Sequence, residues 1–155
     1  MKLAEALEQL KAIKTKAEET RKIANSGVKI QEGDTLGLTC ADAIDEFNTL
    51  TKSYEDLLKK INRANQTVVD KKTGVTLSDL LVERDTQSYR VRMLDDIIRD
   101  ATTSEFRLGR NEIRTILTID VNKYRALRDE ISENYRILNS RIQQMNWTIE
   151  ISVDV

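Results

Sequence analysis

Asn62, Asn65, Arg84, Asp85, Asn146 and Trp147 are the residues of this chain whose types and placement best suit ligand recognition, and the ligand they suit is a small anion. Arg84 falls near the apolar line of its helix, where an unpaired buried charge is costly. It therefore requires a partner: Asp85, an asparagine carbonyl or an anionic ligand. The same six residues can instead form a structural network that caps helix ends and fastens the C-terminal segment, with Trp147 as an apolar anchor. Buried polar networks commonly specify packing without binding anything, and the network is the favoured reading.

Other chemistries are narrowed by what is missing. The chain has no histidine, which removes Ser-His and Cys-His nucleophile pairs, an imidazole base and histidine-containing zinc sites. An enzyme is accordingly the less favoured class, and no catalytic residue is named. Cys40 lies near the start of a helix, where a thiol can be activated, but it also continues an apolar stripe and reads as buried and structural. Asp42, Asp45 and Glu46 cluster on one helix and Asp129, Glu130 and Glu133 on another. Such groups can hold magnesium, yet on highly charged helices they read as solvated faces, so no metal and no cofactor is expected. Arg107, Arg110 and Arg114 with Phe106 make a local basic patch. Seven arginines between Arg84 and Arg114 stand against six acids, which leaves little field for nucleic acid.

The elements that must position these residues are helices. Charged residues make up 33% of the 155 and aromatics 5%, with no proline, a mixture that suits one helical domain over residues 1–155. Ala43, Phe47, Leu50, Tyr54, Leu57, Ile61, Ala64 and Val68 recur at alternating spacings of three and four, one stripe of a long helix. A first helix is expected from about Lys2 to Ala24, with Asn25-Ser26-Gly27 tolerating a left-handed stop. Thr39 and Asp42 resemble a capping box for the second. A third is expected over Leu77–Thr102, and a fourth follows Asp120 as cap and ends near Asn146. Their core residues include Leu80, Leu94, Ile131, Leu138 and Ile142.

Short β elements complete the reading. Val28-Lys29-Ile30 is expected as an extended piece before a turn at Glu32-Gly33-Asp34, and Val68–Thr76 as a hairpin with Gly74 at positive φ. Ile113–Ile119 is rich in β-branched residues. Trp147, Ile149, Ile151, Val153 and Val155 alternate with polar residues and predict a strand with one apolar face. In an antiparallel four-helix bundle that strand lies near the hairpin. It pairs there or with another subunit.

Several short motifs in this order resemble one family. They are Val28–Gly33, Ile61-Asn62-Arg63-Ala64-Asn65, Gly74-Val75-Thr76-Leu77, Arg84-Asp85, Arg110-Asn111-Glu112-Ile113-Arg114, Asp120-Val121 and Ile142-Gln143-Gln144-Met145-Asn146-Trp147. Together they resemble the septicolysin-like family, small bacterial proteins of unknown function. The chain departs from that pattern at Ala64, Leu108 and Gly109. The family name implies a cytolysin, but a signal peptide, a tryptophan-rich membrane motif and the size of a pore-forming barrel are all lacking.

These observations give a mostly α, antiparallel four-helix bundle with short β elements at its ends. The expected role is a cytoplasmic structural or interaction protein that forms a homo-oligomer through a helix stripe or its tail strand. The alternative is a small anionic-ligand binder or enzyme using the six residues named first. A single cysteine, near-balanced charge of 25 basic and 26 acidic residues, and no apolar span argue against disulfides, nucleic acid and membrane as partners.

Overall fold

A computed structural model of the chain describes residues 1–103 and 115–152. It is mostly helical, with four helices: α1 (Leu3–Ser26), α2 (Cys40–Thr67), α3 (Leu77–Thr102) and α4 (Val121–Thr148). Local chemistry sets their starts. The Lys2 backbone N–H donates to the Glu5 carboxylate at 2.8 Å, satisfying an end group of α1. Thr39 caps α2 by accepting from the Asp42 N–H at 3.1 Å, and its hydroxyl donates to the Asp42 carboxylate at 2.6 Å. Asp120 caps α4 by accepting from the N–H groups of Asn122 and Lys123.

The chain divides into two compact units, Met1–Ser78 with Gln143–Val155, and Asp79–Ile142. In the first, α1 and α2 pack together as an antiparallel hairpin. Lys16 pairs with Glu46 at 2.7 Å midway along it. The buried side chains include Leu3, Ala6 and Ala17 of α1 and Ala43, Leu57 and Ile61 of α2, so the α2 stripe does face inward. Gly27 ends α1 at a φ of −86°, right-handed rather than left-handed as expected. Its role is spatial: a Cβ there would lie 3.3 Å from a Leu36 methyl and 3.6 Å from Cys40 Cβ. Gly33, at a φ of 93°, forms the expected turn, with the Asp34 N–H donating to the Gln31 carbonyl at 3.1 Å.

In the second unit α3 and α4 run antiparallel, and Arg128 of α4 bonds Asp95 of α3 at 2.8 Å. Asp129 and Asp95 beside it push the Arg128 guanidinium further above its already high pKa. Leu80, Leu94, Ile131, Leu138 and Ile142 are buried.

The expected strands do not form among the described residues. Two isolated bridges stand in their place, Val69 with Thr76 and Lys2 with Glu150. Val28 and Ile30 are exposed, as are Ile116 and Leu117, and none lies in regular structure. β-branched composition alone supplies no edge to pair with. In the tail, α4 continues through Thr148, so the alternating pattern begins only at Ile149 and Trp147 is helical. Val153 and Val155 lie outside the described residues, as do Phe106, Arg107, Leu108, Gly109, Arg110 and Arg114. No described helix is long and apolar enough to cross a membrane.

Candidate functional site

Three chain segments meet at the polar end of the first unit. α2 exits through Val68 into a loop in which Asp70 is buried and its carboxylate accepts from the Thr73 N–H at 3.1 Å and the Thr73 hydroxyl at 2.6 Å. The Gly74 N–H donates to the Asp70 carbonyl at 2.8 Å, which requires the positive φ of 72° that glycine supplies. The Asp70 N–H reaches the Val75 carbonyl and the Leu77 N–H the Val68 carbonyl, both at 2.9 Å, so the exit of α2 and the entry of α3 are tied.

The tail pairs with the N-terminal segment, a partner that the sequence reading did not include. The Leu3 N–H donates to the Ile149 carbonyl at 2.9 Å and the Ile151 N–H to the Met1 carbonyl at 3.0 Å. Lys2 Nζ lies 2.6 Å from Glu150, first by hydrogen bonding and then by charge holding that carboxyl below its ordinary pKa. Beside this ladder is a cleft of about 300 Å³ lined by Lys60, Arg63, Ala64, Thr67, Val68, Glu150, Ile151 and Ser152. Its charged groups are two cations on adjacent turns of α2 and one acid already held by Lys2.

The six residues singled out for a ligand are distributed as follows. Asn62 is exposed and Asn65 half-buried on the last turns of α2. Asn146 is buried, 7% exposed, whereas Trp147 is 54% exposed. The tail is therefore anchored by Ile151, and Trp147 is not the apolar anchor. Arg84 and Asp85 belong to the second unit and bind each other: Arg84 Nε and Nη2 donate to one Asp85 oxygen at 3.0 and 2.8 Å. The partner required by Arg84 is its neighbour in sequence.

Four members of the carboxylate clusters are likewise engaged. Glu46 pairs with Lys16, Glu133 with Arg136 and Asp129 with Arg128, and Asp42 completes the α2 cap. Among the described residues no three or more histidine, cysteine or acidic side chains come together as a metal site.

The outer face of α3 shows what the sequence reading passed over. Val82, Tyr89, Met93 and Ile97 are 64%, 71%, 50% and 38% exposed. They form a second stripe, distinct from the buried line through Leu80 and Leu94. A groove of about 410 Å³ runs along it, lined by Tyr89, Arg92, Met93, Asp96, Ile97 and Asp100. The signal was present as apolar residues left over once the buried line was assigned, spaced seven, four and four apart. Large apolar side chains in a row on a surface are the kind of patch that association covers.

Comparison with known proteins agrees with a helical protein and leaves its role open. Residues 10–151 match the Family of unknown function (DUF6847), and the chain belongs to this family. A crystal structure described as that of a functionally unknown conserved protein from Corynebacterium diphtheriae is similar over 98% of this chain and 99% of that one. The two are 31% identical, with a TM-score of 0.89. No curated protein matches the chain.

Proposed function

We propose that this DUF6847 member is a cytoplasmic interaction protein that associates with itself, acting through a surface rather than through an enclosed catalytic site. The observation that supports this is the outer stripe of α3. Four apolar side chains follow one another over sixteen residues, about 22 Å of helix, and all are open to solvent. Removing such side chains from water is favourable at about 25 cal/mol per Å², a gain available only on association. Light scattering of the purified chain tests the proposal. An oligomer at tens of micromolar that becomes monomeric in Tyr89→Glu or Met93→Glu, with the helical circular dichroism unchanged, supports it. A strict monomer overturns it.

A second reading, a small anionic ligand at the polar end of the first unit, is favoured by the cleft beside Lys60 and Arg63, although Asn62 and Asn65 are not among the residues that line it. Arg84 lends it less, since its charge is already met by Asp85. The proposed kinship with the septicolysin-like proteins, carried by the motifs from Val28–Gly33 to Ile142–Trp147, adds no lytic chemistry to either reading.

A further inference from the structure

The outer face of α3 repeats with the period of a coiled-coil seam. Val82 and Tyr89 stand seven residues apart, as do Thr86 and Met93, and the two series interleave at spacings of four, three and four. Val82 and Tyr89 thus occupy one seam position and Thr86 and Met93 the other, and all four are exposed. The flanks repeat as well. Glu83 and Arg90 share the position on one side of the seam, and Asp85 and Arg92 share the position on the other; these four are also exposed. Each flank therefore carries an acid and, two turns later, a base at the equivalent position.

That arrangement is self-complementary in one orientation. In an antiparallel pair of helices each flank faces the same flank of its partner, so a position must complement itself seven residues on. Setting Val82 against Met93 of a second copy sets Thr86 against Tyr89. The same register brings Glu83 opposite Arg90 on one side and Asp85 opposite Arg92 on the other. Two-fold symmetry repeats each pair, giving four charge pairs around an apolar centre. The seam stops where this register sets Asp96 opposite Asp79, like charges that confine the contact to the turns between them. A parallel pair would instead stack Asp96 and Asp100 on their own copies.

Building on the self-association reading above, we propose that the partner of α3 is α3 of a second copy, bound antiparallel in this register. The charged flanks set the register and orientation, while the apolar centre supplies the attraction.

Charge reversal at one flank tests it by sedimentation equilibrium. Arg92→Asp places two aspartates together and Asp85→Arg two arginines, the latter also removing the in-chain partner of Arg84 and so read only with helical circular dichroism unchanged; each variant alone should associate at least about tenfold more weakly than the unaltered chain. An equimolar mixture of the two, or the double variant carrying both changes, restores opposite charges and should recover association. Glu83→Arg and Arg90→Glu repeat the test on the other flank if one of the first pair fails to fold. If the unaltered chain associates but Arg92→Asp does not weaken it, or the mixture does not recover, the antiparallel register is wrong while self-association stands. If the unaltered chain is monomeric, the reading beneath it fails.

Discussion

Lys2 Nζ stands 2.6 Å from Glu150 Oε1, joining residues 148 positions apart in the chain. Glu150 is held below its ordinary pKa in the folded chain, so the contact contributes stability above the unfolded glutamate value of about 4.3. That contribution disappears as pH falls through the lowered folded value. Glu150→Gln should therefore melt slightly below the unaltered chain at neutral pH and converge with it in acid. Because both side chains are solvent-accessible, the difference should also shrink in high salt, which melts at several pH values and ionic strengths will show.

Asp70 organises the loop between α2 and α3 from a buried position. Asp70→Ala removes the acceptor for two Thr73 donors, one of them a backbone N–H, and should cost about 1–3 kcal/mol in chemical denaturation. Thr73→Val leaves the backbone bond and should cost less. Gly74→Ala forces a side chain into the left-handed region at a φ of 72° and should cost about 1 kcal/mol, although nothing lies within 4 Å to clash with it.

Ile137 and Ile142 are the same residue type on the same helix, one exposed and one buried. Ile142→Ala should destabilise by about 2–5 kcal/mol, the loss of transfer energy plus a cavity. Ile137→Ala should stay within about 0.5 kcal/mol. Denaturant midpoints at unchanged slope provide the comparison.

The cleft beside Lys60 and Arg63 can be tested with inorganic phosphate as probe. Under the anion reading, phosphate raises the melting temperature of the unaltered chain in proportion to its occupancy, and Lys60→Ala with Arg63→Ala abolishes the rise. A chloride control at matched ionic strength separates binding from screening. No rise with phosphate, or an equal rise in the double variant, counts against that cleft.

What was legible in the sequence is what is encoded locally. Thr39 and Asp120 cap helices because their side chains reach backbone groups two or three residues away, and α3 runs from Leu77 to Thr102 as its periodicity predicts. The Arg84–Asp85 pair lies within one peptide unit and was among the partners expected. The bridge between the tail and the N-terminal segment was not legible. The tail's partner, Met1–Leu3, is already committed at Leu3 to opening a helix, and nothing near Ile149 marks it. Trp147 was misplaced by a boundary: two more helical residues change which way its side chain faces. The outer stripe of α3 was hidden for a different reason, since a helix with two apolar lines reads first as the one that forms a core.

The first unit is assembled from two separated stretches, Met1–Ser78 and Gln143–Val155, with the whole of the second unit inserted between them. On the ribosome this orders events. The α1–α2 hairpin emerges early and can form from contacts close in sequence, but the backbone of Met1–Leu3 must wait for Ile149–Ile151 to be made. The unit whose synthesis begins first is thus completed last. Through that interval Leu3 lacks its Ile149 hydrogen-bond acceptor, and the nascent chain carries an unfinished edge at Met1–Leu3.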